Sequence, residues 1–364
     1  MQPIGIYLHI PFCASKCAYC DFYSFPGGED DMDAYADRLC QDLLTWGERL
    51  SRPADTLYIG GGTPSLLGGE RVSRLVETAR TAFGGALEEI TLEANPADDL
   101  DETLRRAAAA GVNRLSLGVQ SGNENELRAL SRRHTNADVV RTVRAARSAG
   151  IGNLSLDLML GIPGQTADSL SGSIEFLCGL EPEHLSAYLL KIEPGTPFAA
   201  SRPADLPDAD AAAGLYLDCV EALARRGFAQ YEISNFAREG KVSRHNLKYW
   251  TGKDYLGLGP AAHSMLEGRR FYFSRDLARY MDGGQPVEDG PGGGEEEYTF
   301  LRLRLTEGIQ FDDYAARFGH PFPTAARKKL VRFAAAGYAE LREGGVSLTP
   351  KGFLVSNAIL AELI

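Results

Sequence analysis

The chain has 364 residues, 44% of them hydrophobic and 24% charged, so it belongs with folded globular proteins and has room for a barrel-sized domain plus a smaller one. Forty-nine acidic against 38 basic residues give a net charge of -11, and with no run of lysine or arginine this excludes nucleic acid as an expected partner. The opening MQPIGIYLHIPFC lacks a signal-peptide pattern and no stretch is long and apolar enough to span a bilayer, so a cytoplasmic protein with no membrane anchor of its own is expected.

In chain order, six short β-rich runs each lead into a helically spaced segment. They are IGIYLHI from Ile4, TLYIGG from Thr56, LEEITLEANP from Leu87, RLSLGVQS from Arg114, LSLDLMLGIP from Leu154 and HLSAYLLKI from His184. The clearest helix covers 33 to 46, where Tyr35, Leu39, Leu43 and Trp46 share one stripe. AAGVNRLSLGV from Ala109 and SAGIGNLSLDL from Ser148 repeat after 39 residues, with Gly111 and Gly150 placed to end a helix. Strand and helix alternation predicts a parallel sheet: an α/β partial (β/α)6 barrel over residues 1–227, or an open doubly wound sheet. An aromatic-rich extension is expected over 228–290, with DGGQPVEDGPGGGEEE at 282–297 as a flexible linker. Residues 291–364 then read as a smaller helical domain with a winged-helix-like hairpin.

Chemistry concentrates in YLHIPFCASKCAYCDFY, where Cys13, Cys17 and Cys20 fall within eight residues. A reducing compartment makes such a cluster a metal or catalytic site rather than a set of disulfides. Zinc usually takes two separated ligand pairs, and His9 would have to serve as its fourth ligand here. A [4Fe-4S] cluster ordinarily takes four thiolates. Three would leave one iron open to a small chelate, such as the amino acid end of S-adenosylmethionine (SAM). Cys40, Cys178 and Cys219 read as small buried hydrophobes.

CxxxCxxC with Tyr19 before the last cysteine resembles the radical SAM superfamily. YLHIPFC, GGGTPS, LEANP, LGVQS and DLMLGIPGQT occur in the order of its oxygen-independent coproporphyrinogen III oxidase-like branch. The resemblance implies that Cys13, Cys17 and Cys20 hold the cluster. It also implies that Tyr7, Tyr19, Phe22, Gly61, Gly62, Thr63, Glu93, Gln120, Arg132 and Asp157 line the SAM site, the GGGTP segment offering backbone amides to the ligand. Glu93, Gln120 and Asp157 are expected at strand ends facing the barrel mouth.

Two departures separate this sequence from the oxidases. Phe22 stands where they carry a further cysteine, and only twelve residues precede Cys13. Both features, together with RHNLKYW at Arg244–Trp250, match the sister group of haem chaperones. That resemblance implies haem as cargo, His245 as a ligand to its iron, Tyr249 and Trp250 beside the porphyrin, and Arg244 or Lys248 at a propionate. His263 stands as a second axial ligand or a structural residue. Apo-haemoproteins, respiratory ones among them, would receive the haem, and a homodimer is compatible with the group. The competing expectation is a radical SAM enzyme that decarboxylates coproporphyrinogen III or acts on another tetrapyrrole.

Overall fold

The computed structural model of the chain describes residues 2–96 and 99–363. Its first half alternates strand and helix as the periodicity dictates. The strands are β1 (Ile4–Ile10), β2 (Ala54–Gly61), β3 (Glu89–Ala94), β4 (Arg114–Gln120), β5 (Asn153–Leu160) and β6 (His184–Leu189), which pair side by side in parallel. The first helix, Glu29–Leu50, begins with Glu29, Asp30 and Asp31, acids suited to the positive end of the helix dipole. It buries Tyr35, Leu39, Leu43 and Trp46 against the sheet, as the stripe requires. Gly111 ends the helix Asp101–Ala110 at φ 107°, a left-handed conformation that side chains other than glycine resist.

The sheet does not close. It continues past both ends of the parallel core into a 12-stranded array. Beside β6 lies β8 (Asn235–Ala237), antiparallel to it, and beyond β8 lies β7 (Ala229–Gln230), antiparallel to β8. Beside β1 lies β9 (Tyr255–Leu258), parallel to it with Gly5 opposite Tyr255. Then come β10 (His263–Leu266), β11 (Arg269–Tyr272) and β12 (Val287–Pro291).

β12 corrects the expectation of a flexible linker. The middle of that Gly/Pro/Glu run is a strand, with Phe271 opposite Glu288 and Tyr272 opposite Val287. An edge strand needs only one hydrogen-bonded neighbour and tolerates such residues.

Beyond it, β13 (Ile309–Gln310), β14 (Ala339–Arg342) and β15 (Gly345–Leu348) form a separate three-stranded antiparallel sheet among short helices, the hairpin anticipated as a wing. Backbone bonds from Ile233 N to Arg304 O and from Thr306 N to Tyr231 O join this unit to the segment between β7 and β8.

Along β2 to β6 the outward positions are apolar and buried, among them Leu57, Ile59, Leu92, Leu115, Leu117, Leu156, Leu158 and Leu185. The alternate positions, Tyr58, Glu93, Ser116, Gln120, Asp157 and Ser186, point inward. Period-two alternation thus gives an oily jacket under the helices and a polar interior, and the polar interior makes the site. No helix among the described residues is long and apolar enough to cross a membrane.

Candidate functional site

The cysteine loop follows β1 directly and lies over the C-terminal ends of the strands. It is pinned to its neighbours by backbone bonds. Cys13 N donates to Phe25 O at 3.0 Å and Phe25 N to Pro11 O at 2.9 Å, while Gly62 N and Thr63 N donate to Ile10 O and Phe12 O, each at 2.7 Å. A Cβ on Gly62 would sit 2.6 Å from Phe12 O, so glycine is required for this close approach.

The pattern corrects one expectation: the GGGTP amides serve the loop and its supports. Gly61 N is also taken, by Glu93 Oε2 at 3.0 Å. What the segment offers the cavity is the Thr63 hydroxyl, 3.1 Å from Cys13 Sγ.

Beneath the loop lies a cavity of about 270 Å³. Cys13, Cys17 and Cys20 face it from one side, and Tyr19, Phe22, Gly61, Gly62, Thr63, Glu93, Gln120, Arg132 and Asp157 all contribute to its walls. Arg132 donates to Asn95 Oδ1 at 2.9 Å and to Gly118 O at 2.5 Å, and reaches Cys17 Sγ at 3.5 Å. That fixed guanidinium offsets thiolate charge at the mouth. Burial pushes the Cys20 thiol up, so the thiolate form needs a bound cation.

Glu93 accepts from Tyr58 OH at 2.7 Å as well as from Gly61 N. Burial nevertheless raises its pKa. Asp157 is pushed up to about 7, by burial first and then by the Glu93 charge.

Two SAM-site expectations need correction. Asp157 lies inside β5 rather than at its end, because the apolar Leu158, Met159 and Leu160 carry the strand onward. Tyr7 stays behind the cavity wall, its hydroxyl 3.0 Å from His9 Nδ1, while His9 Nε2 lies 3.0 Å from Tyr23 O. His9 therefore braces the loop.

Tyr58, Asn95, Ser116, Ser186 and Tyr188 also line the cavity, and the sequence reading missed them as site residues. The signal was there: polar residues at every second position of otherwise apolar strands.

An acid whose pKa rises on folding keeps a proton that the unfolded chain has lost. Asp157 therefore lowers stability progressively as pH climbs from about 4 to about 7, and by a constant amount above that. Asp157→Asn should gain stability over wild type, with a larger gain at pH 8 than at pH 5, in urea unfolding of the cluster-free chain. An equal gain at both pH values would contradict the raised pKa.

The RHNLKYW segment forms the helix Arg244–Thr251 at the opposite end of the barrel. The Glu89 carboxylate, at the start of β3, accepts from the amides of Arg244 and His245 at 2.9 Å each. The helix follows β8 beside β6 and precedes β9 beside β1, so it crosses the barrel floor from one end of the parallel core to the other.

His245 is fully buried. Its Nδ1 lies 2.9 Å from the Thr56 hydroxyl and its Nε2 2.7 Å from Tyr249 OH. Burial, then the Lys248 and Arg114 charges, lower its pKa to about 3. Lys248 pairs with Asp55 at 2.7 Å, Arg244 pairs with Glu88, and half-buried Trp250 lies 5.9 Å from the Arg304 guanidinium.

In this seating the His245 imidazole is closed off from a haem. Both imidazole nitrogens are engaged inside the protein, so neither can meet an iron while the helix is seated. Tyr249 is committed to His245, and buried Lys248 is held by Asp55, while the pairing of Arg244 with Glu88 lies on the surface.

The radical SAM superfamily model matches residues 7–177, and the HemN C-terminal domain model matches residues 296–355. The heme chaperone HemW of Bacillus subtilis (strain 168) is 35% identical, with 98% of this chain and 98% of that protein covered. The chain belongs to the HemW family. The HemW of Escherichia coli (strain K12) is also 35% identical, over 99% of this chain and 98% of its own. Among solved structures, the coproporphyrinogen III oxidase HemN of Escherichia coli, a radical SAM enzyme, superposes with a TM-score of 0.85 at 25% identity. That match covers 100% of this chain and 90% of the other.

A radical SAM protein takes a [4Fe-4S] cluster and SAM, and the loop of this HemW-family chain fits them. Its three thiols are free of disulfides and face one cavity. Among the described residues, no three His, Cys, Asp or Glu side chains converge closely enough to hold a single ion. A cluster of four irons spaces its thiolates more widely. When bound, the cluster supplies an open iron for chelation and an electron for the sulfonium. Phe22, at 65% exposure, stands at the cavity rim and contributes no sulfur.

Proposed function

We propose that this protein is a haem chaperone: it binds haem and delivers it to apo-haemoproteins, and carries a SAM-binding [4Fe-4S] cluster at the barrel mouth. The observation that carries the reading is full-length identity to proteins named as heme chaperones. Phe22 supports it, because the oxidases of the sister branch have a further cysteine there.

In this reading Cys13, Cys17 and Cys20 hold the cluster. Thr63 and Arg132 set the charge around it, and Glu93, Gln120 and Asp157 orient the bound SAM.

The second reading is radical chemistry on a tetrapyrrole. The likeness to HemN and the polar cavity favour it, since Glu93, Gln120, Arg132 and Asp157 all face the same space.

Anaerobic titration of the cluster-reconstituted chain with haem, followed by absorption, separates the two. Saturation near one haem per chain, with transfer to an apo-haemoprotein and no SAM cleavage, is expected. Absence of saturable binding, with 5'-deoxyadenosine formed from SAM and coproporphyrinogen III, would establish the enzyme instead.

A further inference from the structure

Arg114, the first residue of β4, is the largest of the fully buried side chains. Among the described residues, nothing accepts a hydrogen bond from its Nε or Nη1. A guanidinium taken out of water and left without partners is costly to keep, and the cysteine loop, the cavity and the helix Arg244–Thr251 leave it unused.

Alternation and register place it. On β4 it faces the same way as Ser116 and Gly118, which line the cavity. It lies opposite Thr91 of β3 and Asn153 of β5, and two residues further on Ser116 lies opposite Glu93. Asp157 follows four residues beyond Asn153 on β5. Arg114 therefore occupies the interior layer beneath the two cavity carboxylates. Its charge pulls the pKa of Glu93 and of Asp157 down against the burial that raises them. Tyr58 of β2, His184 of β6, Tyr231 between β7 and β8, and His245 on the barrel floor feel it as well. A charge felt on so many sides stands near the barrel axis.

The two acids need such a charge, because the Glu93 carboxylate raises the pKa of Asp157. The other titratable groups in their range are Tyr7 of β1, Tyr58 of β2, Tyr188 of β6, Tyr19 of the cluster loop and Tyr249 of the floor helix. Burial holds all five phenols protonated. Arg132 is committed to Asn95 Oδ1, Gly118 O and the Cys17 sulfur. Arg114 is the cation that remains for them.

We infer, resting on the SAM site assigned above, that Arg114 is a positioning residue: it is the fixed counter-charge that lets Glu93 and Asp157 face the cavity together as carboxylates, ready for a cationic cofactor. Its Nε and Nη1 bond to neither acid, so their oxygens are left to Tyr58, Gly61 and the ligand.

Full-length, cluster-reconstituted protein titrated with SAM from about pH 6 to pH 9 tests the role. Wild-type affinity should fall below about pH 7, as Asp157 takes up a proton. Arg114→Met should move that midpoint up by about one pH unit, weaken binding at pH 7 about fivefold and cost nothing at pH 9. Arg114→Lys, which keeps the charge, should restore the wild-type midpoint. The amine of SAM titrates alike in every sample, so the displacement belongs to the protein. If Arg114→Met does not fold, Asp157→Asn with Arg114→Met is compared with Asp157→Asn alone, and the midpoint left to Glu93 should rise in the same way. Binding weakened equally at every pH, or a midpoint left in place while Glu93→Gln still weakens SAM, overturns the role of Arg114 and leaves the SAM site standing. A Glu93→Gln chain that binds SAM as wild type does removes that site, and the inference with it.

Discussion

Cys17→Ser is expected to abolish cluster assembly: reconstituted protein loses the iron-sulfur absorption and retains almost no iron or sulfide. Cys17 sits in the middle of the three-thiol loop, and Arg132 lies 3.5 Å from its sulfur. With two thiols left, the cluster has no set of three anchors, and serine is a poor substitute ligand for soft iron-sulfur chemistry. Affinity for SAM should fall in parallel, because the open iron is part of its site. The fold should survive. The loop is tied by the bonds of Cys13, Gly62, Thr63 and Phe25, and none of these uses a cysteine side chain. Unfolding of wild type and variant without iron should therefore coincide. A variant that kept a full complement of iron would refute the assignment of the cluster to this loop.

His245→Ala is expected to destabilise the protein by about 3 kcal/mol or more while leaving haem affinity per folded molecule unchanged. The ring fills a fully buried space, its centroid 5.3 Å from that of Tyr58. Its removal opens a cavity and strips the Thr56 hydroxyl and Tyr249 OH of their shared partner. Tyr249→Phe removes one of these bonds and keeps the packing, so a loss of about 1 kcal/mol is expected. Urea unfolding measures the stability, and haem titration below the transition measures the binding. A variant that melts like wild type and binds no haem would restore His245 as an iron ligand.

The parallel core was legible because its signals are local. Each of the six β-rich runs falls on its strand, and the stripe of Tyr35, Leu39, Leu43 and Trp46 lies inside the helix Glu29–Leu50. The cluster thiols were legible for the same reason, lying together in one loop. The fate of His245 was not legible. Its partner Thr56 lies 189 residues away, and nothing in RHNLKYW distinguishes a helix that offers a histidine to a ligand from one that closes a barrel floor. The amides of the GGGTP segment misled similarly, since a glycine that lets backbone approach a ligand equally lets it approach Ile10 and Phe12. β12 escaped detection because Val287–Pro291 has no strand periodicity. Only pairing with β11 makes it a strand.

The continuation of the sheet beyond β1 bears on where this chain can be divided. A fragment ending near residue 227 would carry every cluster ligand and every cavity residue of the SAM site, yet it would present β1 without β9 and β6 without β8. Ile6 and Leu8 lie on the strand so bared, and an unpaired apolar strand invites pairing with another copy. Such a fragment would aggregate even though its chemistry is intact. Insertions and fusions are better placed at the exposed turn between Glu343 and Gly344, where β14 turns into β15.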